Sequence, residues 1–136
     1  MSAEAVVQAA VLAVLRADAV LSAGLNGVFE GPAVKASTPF AELGDLLSVD
    51  WGTKTAAGRE LRVALTIRDA AETNARVQRL ADAAGRAIER LPRALEGWRV
   101  ASVVLVRLRV LRGPPGRWSA TLEYRVRVMA NEGDVE

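Results

Sequence analysis

The sequence predicts an α+β fold. The expected form is a mixed, mainly antiparallel four-stranded sheet with two helices on one face, in the order α-β-β-α-β-β, closed by a long C-terminal β-hairpin. Three observations lead there. Apolar residues recur at helical spacing in two separate stretches. They alternate with polar residues at a period of two in four others. Glycine or proline marks most of the joins. The chain has 136 residues and is 51% apolar, which suits one domain with a core that needs no staple. That domain spans residues 1–130, and the polar segment 131–136 is expected to be a flexible tail.

Ser2 is placed to cap a first helix, with Glu4 in its first turn. Val7, Val11, Val14 and Leu15, with Ala10, form its apolar stripe, and it should end near Arg16. Asp18 can cap a further short turn through Leu21, stopped by Gly24 to Gly27. Val28 to Thr38 reads as a short extended piece followed by an irregular loop. From Pro39 the period becomes two. Ala41, Leu43, Leu47, Val49 and Trp51 share one parity, as do Leu61, Val63, Leu65 and Ile67 on the next strand, with Gly52 to Gly58 as the connecting loop. Pairing Trp51 with Arg59 keeps both apolar sets on one face and sets Glu42 opposite Arg68. Asp45 breaks the apolar parity without visible reason.

A second helix is expected over Ala71 to Leu91, with Val77, Leu80, Ala81, Ala84, Ile88 and Leu91 on its buried stripe and Pro92 ending it. It serves as the crossover of a β-α-β unit, expected to be right-handed. In the last third, Trp98, Val100, Val104, Val106, Leu108 and Val110 alternate with Arg99, Arg107 and Arg109. Trp118, Ala120, Leu122, Tyr124, Val126 and Val128 then alternate with Arg117, Thr121, Glu123, Arg125 and Arg127. Opposed residues share a face, so the hairpin loop must hold an odd number of residues. A five-residue tip, Gly113 to Arg117, pairs Leu108 with Leu122 and Val106 with Tyr124, and sets Arg107 opposite Glu123.

Composition removes whole classes of chemistry. The chain has no cysteine and no histidine, so no disulfide, no thiolate or imidazole metal site and no histidine general base. Phosphate-loop, dinucleotide and nucleophile-elbow motifs are missing, and the carboxylates Glu30, Glu42, Asp45, Asp50, Glu60 and Asp69 are scattered singly. No catalytic residue, cofactor site or metal site is expected, and the chain does not read as an enzyme. The apolar run Ala5 to Leu15 is too short to span a bilayer and lacks a basic leader, so no membrane association is expected and the protein should be cytoplasmic when synthesised.

The arginines carry the functional signal. Sixteen of the eighteen basic residues are arginine, the others being Lys35 and Lys54. Two helices cover only one face of the sheet. The other face should carry Arg62, Arg68, Arg99, Arg107, Arg109, Arg125 and Arg127 among Leu46, Ala64, Ala101, Val103, Leu105 and Leu111. An ordinary wet sheet face is one reading. A protein–protein contact is another, since arginine mixed with aliphatics is common at interfaces. An arginine-rich nucleic-acid-binding module is a third, because arginine binds phosphate, although no exposed aromatics are interleaved for base stacking. The two G-x-x-G matches, Gly24 to Gly27 and Gly113 to Gly116, suit turns better than a nucleic-acid clamp.

Leu25-Asn26-Gly27-Val28-Phe29-Glu30-Gly31-Pro32, followed by Thr38-Pro39-Phe40-Ala41-Glu42-Leu43-Gly44, resembles the tail-terminator (tail-completion) family of long-tailed phages. Asp50-Trp51-Gly52-Thr53-Lys54, with Gly58-Arg59-Glu60-Leu61, looks closer still to its branch in alphaproteobacterial gene transfer agents. The resemblance implies a structural virion-type protein: a hexameric ring that caps the tail tube, joins it to the neck or stopper protein under the head, and lets DNA pass through its lumen without sequence reading. It implies no cofactor and no catalytic residue. The expected partners are further copies of the chain, the tail-tube protein and the neck protein, and the final location is the tail of a phage-like particle. A closed ring needs two different patches on each subunit. Arg99, Arg107, Arg109, Arg125 and Arg127, with Val103 and Leu105, are the candidate subunit interface, and Glu30, Asp45 and Asp50 are candidate complements. Lys35 and Ser37 in one loop, and Thr53, Lys54 and Thr55 in the other, are candidate partner contacts.

Overall fold

The computed structural model describes residues 1–131, so the expected flexible tail, apart from Asn131, lies outside the described residues. The elements are α1 (Ala3–Ala17), α2 (Ala19–Gly24), β1 (Val28–Glu30), β2 (Phe40–Asp50), β3 (Gly58–Ala70), α3 (Ala75–Glu89), β4 (Ala94–Leu95), β5 (Trp98–Arg112) and β6 (Arg117–Ala130). All six strands form one curled, half-barrel sheet in the order β1-β2-β3-β6-β5-β4. β1 runs parallel to β2, and every other neighbouring pair is antiparallel.

This corrects the expected four-stranded sheet with two helices. β1 and β4 have three and two residues, too few to show any alternation, and each forms only where a strong neighbour offers an edge. Asp18 divides what reads as one helix and a turn. Its carboxylate accepts from the Leu21 amide at 3.0 Å and caps α2, while its own amide closes α1 on Leu15 O. Ser2 caps α1 as its sequence suggests, accepting from the Ala5 amide at 3.2 Å. α3 starts later than Ala71 because the hairpin tip holds that residue: the Ala71 amide donates to Gly116 O and the Trp118 indole donates to Ala71 O.

β3 and β5 are both antiparallel to β6, which lies between them, so they run parallel to each other and α3 makes the crossover. The helices share one face of the sheet. Val7, Val11 and Leu15 of α1 and Val77, Leu80, Ala84 and Ile88 of α3 pack in one core with Leu61, Val63, Leu65 and Ile67 of β3 and the even-numbered residues Ala120 to Val128 of β6. α3 approaches closely at Gly85, where an added Cβ would stand 3.0 Å from the Tyr124 hydroxyl oxygen. That hydroxyl donates its one proton to Glu89 Oε2, with Gly85 O beside it at 3.3 Å.

Three bulges set the register. On β2, Gly44 and Asp45 stand against Ala64 alone, so Leu46 pairs Val63 and Asp50 pairs Arg59. Trp51 therefore does not pair Arg59, and Leu47 and Val49 turn away from the core to the open face. Asp45, the residue that broke the parity, is part of the bulge. The Glu42–Arg68 ion pair forms at 2.6 Å, although Glu42 lies directly opposite Thr66. On β5, Ala101 and Val106 are the extra residues. The hairpin pairs Arg107 with Glu123 and Leu108 with Leu122 as its five-residue tip dictates. Beyond Val106 the register shifts, and Leu105, not Val106, faces Tyr124.

Candidate assembly surface

The open face is built from alternate residues of β2, β3, β6 and β5. All seven arginines expected there are present: Arg62 and Arg68 from β3, Arg125 and Arg127 from β6, and Arg99, Arg107 and Arg109 from β5. Arg99 keeps its side because the bulges at Ala101 and Val106 each add one residue, and together they restore the parity. Between the bulges the faces exchange. Val104, expected in the core, lies opposite Arg125 on the open face, while Val103 and Leu105 lie opposite Val126 and Tyr124 on the helix side. The placement of Val103, Leu105 and Leu46 among the arginines is thus corrected. Ala64 and Leu111 do lie there, and Leu47 and Val49 join them.

Electrostatically, the face is a partly neutralised lattice. Glu123 bridges Arg62 at 3.3 Å and Arg107 at 3.5 Å, Glu60 holds Arg127 at 2.9 Å, and Glu42 holds Arg68. Burial pushes the Glu42 carboxyl up. The Arg68 hydrogen bond, the Ala33 amide and the Arg68 charge outweigh that and hold it below the usual carboxylate range. Arg127 also lies over the Trp51 ring at 5.2 Å, and Arg112 over Trp118 at 5.3 Å. Of the three tryptophans that share the apolar parity of their strands, Trp98 and Trp118 pack against the core, whereas Trp51 serves as a platform for an open-face arginine. Seven arginines meet three glutamates, so the face stays positive. The Arg125 Nε is buried without a hydrogen-bond partner.

Each candidate loop is braced by its own polar groups. In the first, Lys35 is exposed with φ 60°, and Asn26 donates to the carbonyls of Ser37 and Thr38. In the second, the Thr53 hydroxyl accepts from the amides of Thr55 and Ala56, leaving Thr53, Lys54 and Thr55 exposed. The loops are not neighbours. One precedes β2 and the other follows it, so they lie at opposite ends of an 11-residue strand, on the order of 30 Å apart.

Concave sites are small. A cavity of about 260 Å³ is lined by Phe40, Arg68, Pro114, Arg117 and Trp118, among others. It lies beside the hairpin tip and gathers no pair of groups suited to acid–base or nucleophilic work. Among the described residues no group of three or more acidic side chains converges as a metal site. Among the described residues no helix is long and apolar enough to cross a membrane.

Residues 9–129 match the family described as tail completion protein gp17. The chain belongs to that family. It is therefore a structural protein of the phage-tail type, and the resemblance read from its motifs holds over most of its length. A chain in the structure titled "Virion of native gene transfer agent (GTA) particle" has the same fold, with a TM-score of 0.75 and 26% identity over 95% of this tail-completion chain and 98% of the other. No curated protein matches the sequence.

Proposed function

We propose that this tail-completion protein forms a ring on the head-proximal end of a phage-like tail, ends tube growth there and joins the tube to the neck. Its full-length likeness to a chain of a gene transfer agent virion is the observation that carries this reading. The ring has six copies, as the family resemblance implies, and DNA passes through it without sequence reading. Arg99, Arg107, Arg109, Arg125 and Arg127 lie in or beside the contact between subunits, with Val103 and Leu105 at its helix-side margin. Their net positive charge beside the aliphatics of the open face supports this, since arginine mixed with aliphatics is common at interfaces. The loops carrying Lys35 and Ser37, and Thr53, Lys54 and Thr55, meet different partners. One meets the tail tube and the other the neck, because they leave opposite ends of the sheet.

Negative-stain microscopy of tails assembled with the chain tests the reading. A six-fold ring at one tail end, containing this protein, is the expected result. Tails that end normally without it would sink the proposal, as would a ring in which the five arginines stay fully solvated.

A further inference from the structure

The sheet has two unfinished edges. β4 pairs only with Trp98 and Arg99 of β5, and the Val100 amide donates to Arg93 O. Past that point, from Ala101 to Arg112, no strand lies outside β5 among the described residues. At the other edge β1 pairs only with Ala41 to Leu43, leaving Gly44 to Asp50 of β2 without an outer neighbour. Of the ten exposed large apolar side chains among the described residues, seven stand on these two stretches. Leu47 and Val49 are on β2, and the other five lie between Val104 and Leu111. That concentration marks the edges, not the surface at large, as the apolar docking area.

The two edges are also unlike in charge. Ala101 to Arg112 holds three arginines and no acid, while Gly44 to Asp50 holds two aspartates and no base. Bulges and charges on an edge strand ordinarily serve to block pairing with other chains. Here they block one partner and leave another. Two β5 edges brought together would oppose arginine to arginine, which is unfavourable. A β5 edge brought to a β2 edge sets arginines beside Asp45 and Asp50 and covers apolar side chains from both strands.

We infer that the free stretch of β5 takes as its partner the free stretch of β2 on a second copy of this chain, continuing the sheet from one subunit into the next. This rests on the ring reading and gives it a specific joint. The contact uses a different patch on each subunit, so every copy keeps one free edge after pairing, and association runs head to tail until it closes.

The absence of cysteine makes the test direct, because the only thiols in any variant are those introduced. Leu47→Cys and Val104→Cys are made singly and together, treated with a bifunctional maleimide long enough to span adjacent strands in any register, and examined both concentrated and on assembled tails. Each single variant alone should give no cross-linked product, their mixture should give dimers only, and the double variant should give a ladder ending at the ring. Dimers from V104C alone would overturn the joint, as would a double variant that fails to cross-link within rings visible by microscopy; in both cases the ring reading stands. Tails that carry the chain without any ring would overturn both. A charge test runs beside it. Arg109→Glu, or Asp45→Arg, should abolish the ladder in the double-cysteine background, and combining the two should restore it. Unchanged ladders in both charge variants would remove the electrostatic match and overturn the assignment. Circular dichroism checks that each variant is folded; R109E and D45R alter exposed side chains that make no ion pair among the described residues.

Discussion

Asp69 is the one charged residue among those described that is fully buried. Arg76 donates to its carboxylate from Nε at 2.9 Å and Nη2 at 2.6 Å, and the Ala70 amide adds a third hydrogen bond. The Arg76 hydrogen bonds hold the Asp69 carboxyl below its ordinary value against the opposing effect of burial, with the Ala70 amide and the Arg76 charge acting the same way. A carboxyl depressed in the folded state contributes stability above its unfolded pKa, about 4, and loses that contribution as pH falls through the folded value. Asp69→Asn should therefore lower the urea midpoint at pH 7 and flatten its fall below pH 4. An unchanged acid limb would show that Asp69 is not among the groups driving acid unfolding. Tyr124 is the second residue-scale case. Burial, then the hydrogen bond to Glu89 and the Glu89 charge, push its hydroxyl far above the ordinary tyrosine range, so it is a permanent donor. Tyr124→Phe removes that donor and should cost ~1 kcal/mol in denaturant unfolding, without shifting the transition's pH dependence near neutrality.

At the scale of elements, the bulges decide which side chains meet the helices and which meet the outside. Deleting Val106 removes the extra residue and leaves the flanking pairs, Leu105 with Tyr124 and Arg107 with Glu123, as they are. Such a variant should fold with a loss within about 1–2 kcal/mol, yet carry a straighter β5 edge and fail to join its neighbour. Thermal unfolding and negative-stain microscopy separate the two effects, and normal rings from the deletion variant would show that the bulge has no part in the contact. The same bulges explain what the sequence made legible. The helix stripes, the β3 and β6 faces and the five-residue hairpin tip were readable because unbroken periodicity carries them. The face that the seven arginines share is legible too, since the two β5 bulges cancel between Arg99 and Arg107. Val103, Val104 and Leu105 sit between those bulges, and there parity misleads. Asp45 was the visible sign of the β2 bulge, but one polar residue in a strand does not say on which side the register slips. β1 and β4 left no periodic signal because a strand of two or three residues has none.

For the whole molecule, the placement of the two loops gives the proposed ring two unlike ends. β2 separates them by its full length, so a partner touching Lys35 and Ser37 and a partner touching Thr53, Lys54 and Thr55 stand on opposite sides of any ring whose axis follows the strands. A terminator that has lost its hold on the tube no longer stops polymerisation, and tails should then grow past their normal length. One that has lost its hold on the neck still caps the tube, and tails of normal length should accumulate without heads. Both lysines are exposed and neither makes an ion pair among the described residues, so Lys35→Glu and Lys54→Glu should leave stability within about 0.5 kcal/mol of the parent. Their particles should differ, one variant giving overlong tails and the other normal-length headless tails, scored by electron microscopy of lysates from cells carrying each substitution. If both give the same defect, the loops address one partner and the two-ended arrangement is wrong. If the defects separate, the phenotype of each variant also states which end of the sheet faces the tube.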